Sequence, residues 1–470
     1  MLAVNRIVSM AVFAGLGLLL VAGATPAMQN PVPATSQSAT PQDLAVSAFS
    51  AASVKCEAPA ARRSTVGGIS LATRMKTGPS YRLMDVRYQD LCLTLVGHEA
   101  SSKSLVALRN GHFFVPNYCD DQGIVWLVPA LIRFFHLTLD QGIDLFFDAA
   151  LSLSLVLGLL GFFLLFRGAV SRVIAAAGLG ILFLGTWTAG DVSTFYVIPA
   201  IAVVPLFLWF TRKGISSAGF IIFLAFSGAL IGISEIVRSH SGTAALIFLL
   251  FVLLAGKRLA VKWRVILCAV LLAGVAVPYL AYDHAFAQRN EFLSRREPAT
   301  TPPQKGHVLW HSVYIGLGFV QNPYVPAYED GVGFRKAHSI DPTVINCSPE
   351  YENILRREVF RLARNHPQFI VTNLAAKAGV VLFYLLICAN MGLLAAFCYP
   401  KGWVLESAFW MAMGFDLLFG LLVVPEFSYL LGLMAFAVMY GIFSIGHAVE
   451  NGALRRLRTC PRDMWEAVVR

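Results

Sequence analysis

Residues 144–213 read DLFFDAALSLSLVLGLLGFFLLFRGAVSRVIAAAGLGILFLGTWTAGDVSTFYVIPAIAVVPLFLWFTRK, three apolar runs broken at two places. The first break, RGAVSR at 167–172, is basic. The second, GTWTAGD at 185–191, is acidic, and the third run closes on Arg212 and Lys213. Each run approaches the roughly twenty residues that a helix needs to cross a bilayer core. Short connections rich in Lys and Arg mark the cytoplasmic side of membrane proteins. The stretch therefore predicts an all-α chain that threads a membrane several times.

The pattern extends outward. Spans are expected at about 7–24, 144–166, 172–189, 192–211, 216–235, 241–256, 263–282, 375–398, 402–424 and 427–447, ten in all. Arg6, Arg167, Arg172, Arg212, Lys213, Lys257, Arg258, Lys262, Arg264, Lys401 and the tail arginines then fall on one side. The alternate short connections, GTWTAGD, SEIVRSH and VVPEF, hold Arg238 as their only basic residue. This places both termini in the cytoplasm and the long segments 26–143 and 283–370 outside. The composition agrees: 57% hydrophobic, 14% charged, mean hydropathy +0.66. Soluble domains sit nearer 45–50% apolar and about 25% charged. The net charge of +10 then belongs to the basic connections and does not argue for nucleic acid.

Residues 1–25 read as a membrane anchor or a signal. The small residues Ala22, Ala24 and Ala27 suit cleavage, whereas the weakly basic flank and the closure of the topology favour a retained anchor. Residues 26–80, rich in Pro, Ala, Ser, Thr and Gln, read as a flexible external linker. Residues 81–143 form a first external segment. Within it WLVPALIRFFHLTL at 126–139 is expected as an interface helix, with Arg133 and His136 at its wet edge. A six-span bundle at 144–282, a second external segment at 283–370, three spans at 371–448 and a tail at 449–470 complete the order. No CxxC pair suggests structural zinc. One external disulfide is expected, with Cys92–Cys119 favoured, while Cys268, Cys388 and Cys398 serve packing.

The acidic residues near span ends gather on the external side: Asp85, Asp120, Asp121, Asp191, Glu235, Glu329, Asp330 and Glu426. In the first external segment MDVRYQDLCLTLVG (84–97) is followed by NYCDDQGIVWLVPALIRFF (117–135). Asp120 and Asp121 are adjacent, so one can face a site; both could equally cap the helix that follows. In SEIVRSHSG (234–242) Glu235, Arg238 and His240 stand at a membrane boundary, where ionisable groups are costly to keep. Arg238 suits a lipid phosphate, or simply pairs with Glu235 at i,i+3.

YDHAFAQRNEFLSRREP (282–298) is expected to continue the seventh span as helix. VLWHSVYIGLGFVQNPYVPAYEDGVGF (308–334) interleaves Trp310, Tyr314, Phe319, Tyr324 and Tyr328 with Gly316, Gly318 and Asn322, a mixture suited to a sugar face. His311 there can donate to phosphate, exchange a proton or serve structure, and Glu329–Gly331 can form a turn. SPEYENILRREVFRLARNHP (348–367) is a helix capped by Ser348, its arginines 356, 357, 361 and 364 suited to acidic headgroups.

An acidic first external segment, an apolar interface helix and a multi-span bundle with Asp191 in TAGDVSTFYVIPA (188–200) resemble, over residues 80–215, the polyprenyl-phosphate-sugar-dependent glycosyltransferases of the GT-C superfamily. The resemblance implies a multi-pass enzyme of a bacterial inner membrane. It would transfer a sugar from a polyprenyl-phosphate lipid donor to an envelope glycan or lipid acceptor on the external face, with inversion. Under it Asp85 or Asp120 is the base, and Asp121 and Asp191 support the site or hold a divalent cation, Mg or Mn. Arg238 and His240, beside Glu235, hold the donor phosphate, with His311 and Tyr314 near the sugar. No dedicated metal site is implied.

Three other functions fit the same pattern. A polymerase or ligase of lipid-linked glycans would rest more on Arg238 and His311. A transporter or flippase would use charges inside the spans, where only Asp148, Lys377, Glu406 and Asp416 qualify, with no evident partners. A non-catalytic envelope assembly protein would need none of these residues. Neither a phosphate-binding loop nor a dinucleotide fingerprint occurs, and no twin repeat emerges.

Overall fold

The computed structural model describes residues 107–109, 112–114, 121, 123–135, 139–189, 192–213, 218–256, 260–296 and 308–453. Apart from a short antiparallel hairpin, β1 (Ala107–Arg109) with β2 (His112–Phe114), the regular structure is helical. The helices are α1 (Gly123–Phe135), α2 (Leu139–Leu165), α3 (Ala169–Ala189), α4 (Ile198–Lys213) and α5 (Ala218–Val237). Next come α6 (Thr243–Ala255), α7 (Val261–Arg296), α8 (Leu309–Gly316), α9 (Asp330–Ile340) and α10 (Pro349–Asn365). The last four are α11 (Pro367–Ala389), α12 (Met391–Cys398), α13 (Trp403–Leu422) and α14 (Phe427–Glu450).

Eight helices among the described residues are long and apolar enough to cross a membrane: α2, α3, α4, α5, α7, α11, α13 and α14. The described residues are thus those of a predominantly helical, multi-pass membrane protein. The count differs from the expected ten in two places. The span expected at 7–24 lies outside the described residues. The span expected at 241–256 is α6, whose 13 residues give about 20 Å against a core of about 30 Å. The expected span 375–398 also differs: it begins at Pro367 and breaks at Asn390, whose φ of 43° ends α11 and starts α12. The interface helix starts at Gly123 and ends at Phe135, earlier than expected. The helical continuation past the seventh span is present to Arg296.

Packing fixes the direction of each pass. Gly158 lies against Ile201 and Gly161 against Pro205 and Leu206, so α2 and α4 run parallel. Ser171 meets Gly446, Gly178 meets Ile442 and Gly185 meets Phe427, so α3 runs antiparallel to α14. Gly228 lies against Leu271 and Gly274, and Gly232 against Val275 and Pro278, so α5 and α7 are parallel neighbours. A Cβ at Gly228 would sit 2.2 Å from the Leu271 carbonyl oxygen, so only glycine permits this crossing. Two parallel helices in contact require α6, short as it is, to carry the chain back between them. Helices α4 and α14 are enclosed, while Leu153, Val156, Phe226, Leu386 and Phe397 point outward. Exposed apolar side chains of this size along spanning helices face lipid.

Among the described residues, the connections holding Arg167, Arg212 and Lys401 and the end of α14 come together at one end. Glu450 accepts the Arg167 backbone N–H at 2.6 Å and lies 4.0 Å from Arg212. Lys401 bonds Ser444 at 2.6 Å and Glu406 at 2.8 Å, and burial lowers its ammonium pKa despite that partner. The opposite, far end gathers Asp121, Tyr196, Arg238, Glu426 and Tyr429, and carries a cap formed by α8, α9 and α10. Gly316, at the end of α8, lies on the Val423 carbonyl at the end of α13. Beneath it Lys377, wholly buried in α11, donates to the carbonyls of Val423 at 2.7 Å and Leu421 at 3.2 Å. Its charge meets the negative end of α13. Asn373 donates to the Leu317 carbonyl at 2.9 Å, tying the cap to α11.

Within the cap, α10 begins as expected: Ser348 accepts the Tyr351 N–H, Pro349 opens the helix, and Glu350 and Glu352 occupy its first turn. Cys347 is disulfide-bonded, whereas Cys92 and Cys119, the favoured pair, lie outside the described residues. Cys268, Cys388 and Cys398 are free. Arg361 is engaged within the cap. Its guanidinium grips Glu358 with two bonds, 2.8 and 2.6 Å, and Lys336 of α9 adds a third contact at 2.8 Å. These cations, Arg361 first, hold the Glu358 carboxyl down from 4.5 to about 2. A depressed carboxylate stabilises the fold above its unfolded pKa and loses that contribution as pH falls through the folded value. Wild type should therefore exceed Glu358→Gln in denaturant stability at neutral pH, with the gap closing as pH drops from 4.5 through about 2. A gap independent of pH would refute this.

Candidate functional site

Helix α5 ends at Val237, and the turn 238–242 brings the chain back into α6. Arg238, the first residue of the turn, is 7% exposed. Its guanidinium lies 4.0 Å from Asp121 Oδ2, hydrogen-bonds Tyr196 and stands 5.8 Å over the Tyr429 ring. Asp121 comes from the residues just before α1. Ser239 gives it both a backbone N–H, at 2.8 Å, and its hydroxyl. Tyr196 donates its hydroxyl to the Ser239 carbonyl at 3.2 Å, and Tyr328 of the cap donates to Tyr429 at 3.0 Å. Five separate parts of the chain thus meet around one guanidinium. Leaving either member of such a buried pair alone costs about 3–5 kcal/mol.

The helix packing explains how Asp121 arrives. Gly123 presses on the Ile236 carbonyl, and Trp126 contacts Tyr282 of α7 at 5.8 Å. Ile124 and Val128, one turn apart, are buried against the ends of α5 and α7. Docking α1 there delivers the residue before it to the turn at 238–242.

Glu235 does not pair with Arg238, as the i,i+3 spacing allowed. Its carboxylate accepts the His240 N–H at 2.8 Å, the Gly242 N–H at 3.0 Å and the Thr243 hydroxyl at 2.5 Å. It caps the positive end of α6. His240 is held at φ 67°, a left-handed conformation, and packs its ring on Phe415 and Phe419 of α13. One turn below, Asp416 is 2% exposed, and its Oδ2 has no hydrogen-bond partner. Gly432 leaves the room for it: a Cβ there would lie 2.7 Å from that oxygen. Glu235 is within electrostatic reach. The other charges expected inside spans do have partners, contrary to the sequence reading. Asp148 bonds Trp187, Lys377 bonds two carbonyls, and Glu406 bonds Lys401 and the Tyr440 hydroxyl.

The cap holds its own residues apart from the turn. His311 is buried, its Nδ1 on the Tyr351 hydroxyl at 2.5 Å and its Nε2 3.2 Å from Asp330. Tyr351 lies wholly in the cap core, so this Asp–His–Tyr chain ends in packing. Burial pushes the Tyr351 and Tyr328 phenols far above their ordinary range, which keeps both as hydroxyl donors. Tyr314 is also core, and burial lifts its phenol to about 12. Asn322 does not face a sugar: its amide organises its own loop, donating to Leu317, Val320 and Val325 and accepting from Tyr324 and Val325. Asp330 starts α9 and does not form a free turn. Glu426, at the far end beside Tyr328, has its carboxyl pKa raised by burial.

The structure therefore unites Asp121, Arg238, Glu235 and His240 at one end of the bundle. It leaves His311 and Tyr314 inside the cap, which meets the site through Tyr328 and Tyr429. Asp85, Asp120 and Asp191 lie outside the described residues. Ser239, Tyr196 and Tyr429 belong to the same cluster. Their only sequence signal was position, hydroxyl-bearing side chains at span ends, where Tyr is enriched. Among the described residues no group of three His, Cys, Asp or Glu could hold a metal.

The left-handed backbone and the cap make opposite predictions. Glycine tolerates φ 67° where other residues pay about 1–2 kcal/mol, so His240→Gly should leave thermal stability unchanged or raised. Glu235→Ala strips three donors at the start of α6 and should lower the melting temperature. Equal losses in both variants would contradict this account.

No protein-family model, no curated protein and no solved structure matches this chain.

Proposed function

We propose that the chain is a membrane glycosyltransferase of GT-C type. It transfers a sugar from a polyprenyl-phosphate donor to an envelope glycan or lipid acceptor at the far end of a ten-span bundle. That end and its cap face outward from a bacterial inner membrane, with both termini cytoplasmic. The reading is carried by one observation: a guanidinium buried at a span end, oriented by a carboxylate delivered from just before an interface helix. A lipid phosphate enters such a boundary at the same depth. Arg offers it a planar fork in a setting where charge interactions exceed those in water.

The roles follow from which groups are already engaged. Both Asp121 oxygens are bonded to Ser239, so Asp121 positions Arg238 and does not take the proton. The base falls to Asp120 or Asp85, with Asp191 supporting the site. Arg238 and His240 hold the phosphate while Glu235 fixes their turn. The attacking hydroxyl gives its proton to the base as its oxygen bonds the anomeric carbon. The bond to the lipid phosphate breaks with inversion, and the phosphate keeps the electron pair.

A transporter or flippase is the second reading. Asp416, buried in α13 with an oxygen that bonds nothing, is the kind of intramembrane acid such proteins use.

The test is thermal stability in nanodiscs titrated with undecaprenyl phosphate. Wild type and Asp120→Asn should show saturable stabilisation. Arg238→Lys should show little and Arg238→Ala none, with each variant's melt in the absence of the ligand confirming its fold. Stabilisation absent from wild type, or retained in Arg238→Ala, overturns the proposal. Loss in Asp416→Asn alone favours the transporter.

A further inference from the structure

At the basic end, opposite the site above, a cavity of about 730 Å³ opens between the ends of α2, α4 and α14. Among the described residues Arg167, Arg212 and Lys213 line it against a single carboxylate, Glu450, with Trp209, His447 and Asn451 also in the wall. Glu450 is already engaged. It takes the Arg167 backbone N–H and lies 4.0 Å from Arg212, at the edge of an ion pair. Aromatic rings support two of the cations: Arg212 stands 5.6 Å over Phe443, and Lys213 stands 5.0 Å over Trp209. Arg167 and Arg212 are near enough to repel. The cavity therefore concentrates positive charge that its one carboxylate does not balance.

The position says what could balance it. The rim residue Leu164 is exposed, and Leu160, one turn deeper on α2, is exposed as well. Together they form an apolar track from the cavity along the lipid-facing side of the helix. Trp209 lies at the depth where indoles mark the headgroup region. A basic pocket between helix ends, with an apolar track leading into the bilayer, matches a phospholipid in both its parts.

We propose that this cavity binds the phosphate of one anionic phospholipid from the leaflet at the basic end, with an acyl chain along Leu160 and Leu164. Arg167, Arg212 and Lys213 contact the phosphate. A free phosphate ion shares the headgroup chemistry but has no use for the track.

The test is native mass spectrometry of the detergent-purified chain titrated with phosphatidylglycerol or phosphatidylcholine, with and without inorganic phosphate. Wild type should retain one phosphatidylglycerol with about tenfold preference over phosphatidylcholine. The double variant Arg167→Gln, Lys213→Gln should lose that preference. Arg172→Gln, a basic-end control outside the cavity, should keep it. Glu450→Gln, which removes the opposing charge, should strengthen it, so the proposal stays testable if the double variant folds poorly. Equal preference in wild type and the double variant, or equal loss in Arg172→Gln, overturns the proposal. Displacement of the lipid by inorganic phosphate overturns the lipid source and leaves a soluble phosphate site.

Discussion

The Arg238 guanidinium is buried at the end of a membrane span, and a charge there must be compensated by the protein or the fold fails. Compensation comes from Asp121, Tyr196 and Tyr429. These lie in different parts of the chain, so satisfying one side chain fixes several segments. The residues before α1 are brought to the turn after α5. The start of α14 is set beneath it, and through Tyr328 the cap is tied to the same point. Under the proposed function, an enzyme that takes its substrate from the bilayer uses such a fixed charge at a span end. The same placement makes the residue expensive to bury and hence tightly held.

The same logic appears twice more with different chemistry. Lys377 carries a positive charge into the bundle and finds the free carbonyls ending α13, so no carboxylate is required. Glu235 carries a negative charge to the far end and finds the donors starting α6. Helix ends thus supply partners for ionisable groups that sequence alone leaves without one. Asp416 breaks the pattern, since one of its oxygens stays unpartnered in an apolar setting.

Much of the fold was legible because lipid imposes a simple rule on sequence. Apolar runs of the right length gave the long spans, and the described basic connections at Arg167, Arg212 and Lys401 meet at one end. The cap of α10 was legible too, since Ser348 and Pro349 act on their immediate neighbours. What was not legible depended on where elements stop. Spacing allowed Glu235 to pair with Arg238, but the Glu235 carboxylate is taken by the donors that start α6. The aromatic stretch at 308–334 suggested a sugar face by composition. Its Tyr314 and Asn322 are engaged in core packing and loop bonding, which composition does not report. The run at 241–256 read as a short span, and α6 is shorter still, bounded by the turn at 238–242 and by the exit at Gly256. The contact between Tyr328 and Tyr429 joins residues 101 positions apart and left no local trace.

The central claim is that Asp121 and Arg238 act as a unit at the far end, and a double-mutant cycle measures that directly. Asp121→Asn, Arg238→Gln and the double variant would be unfolded thermally in nanodiscs beside wild type. Asparagine keeps one of the two acceptors that Ser239 uses, and because that loss is common to Asp121→Asn and the double variant it cancels, so the cycle isolates the coupling to Arg238. A coupling energy of about 1–3 kcal/mol, with the double variant less damaged than the sum of the singles, is the predicted result. Additive losses, within about 0.5 kcal/mol, would show that the two residues act independently and would contradict the account.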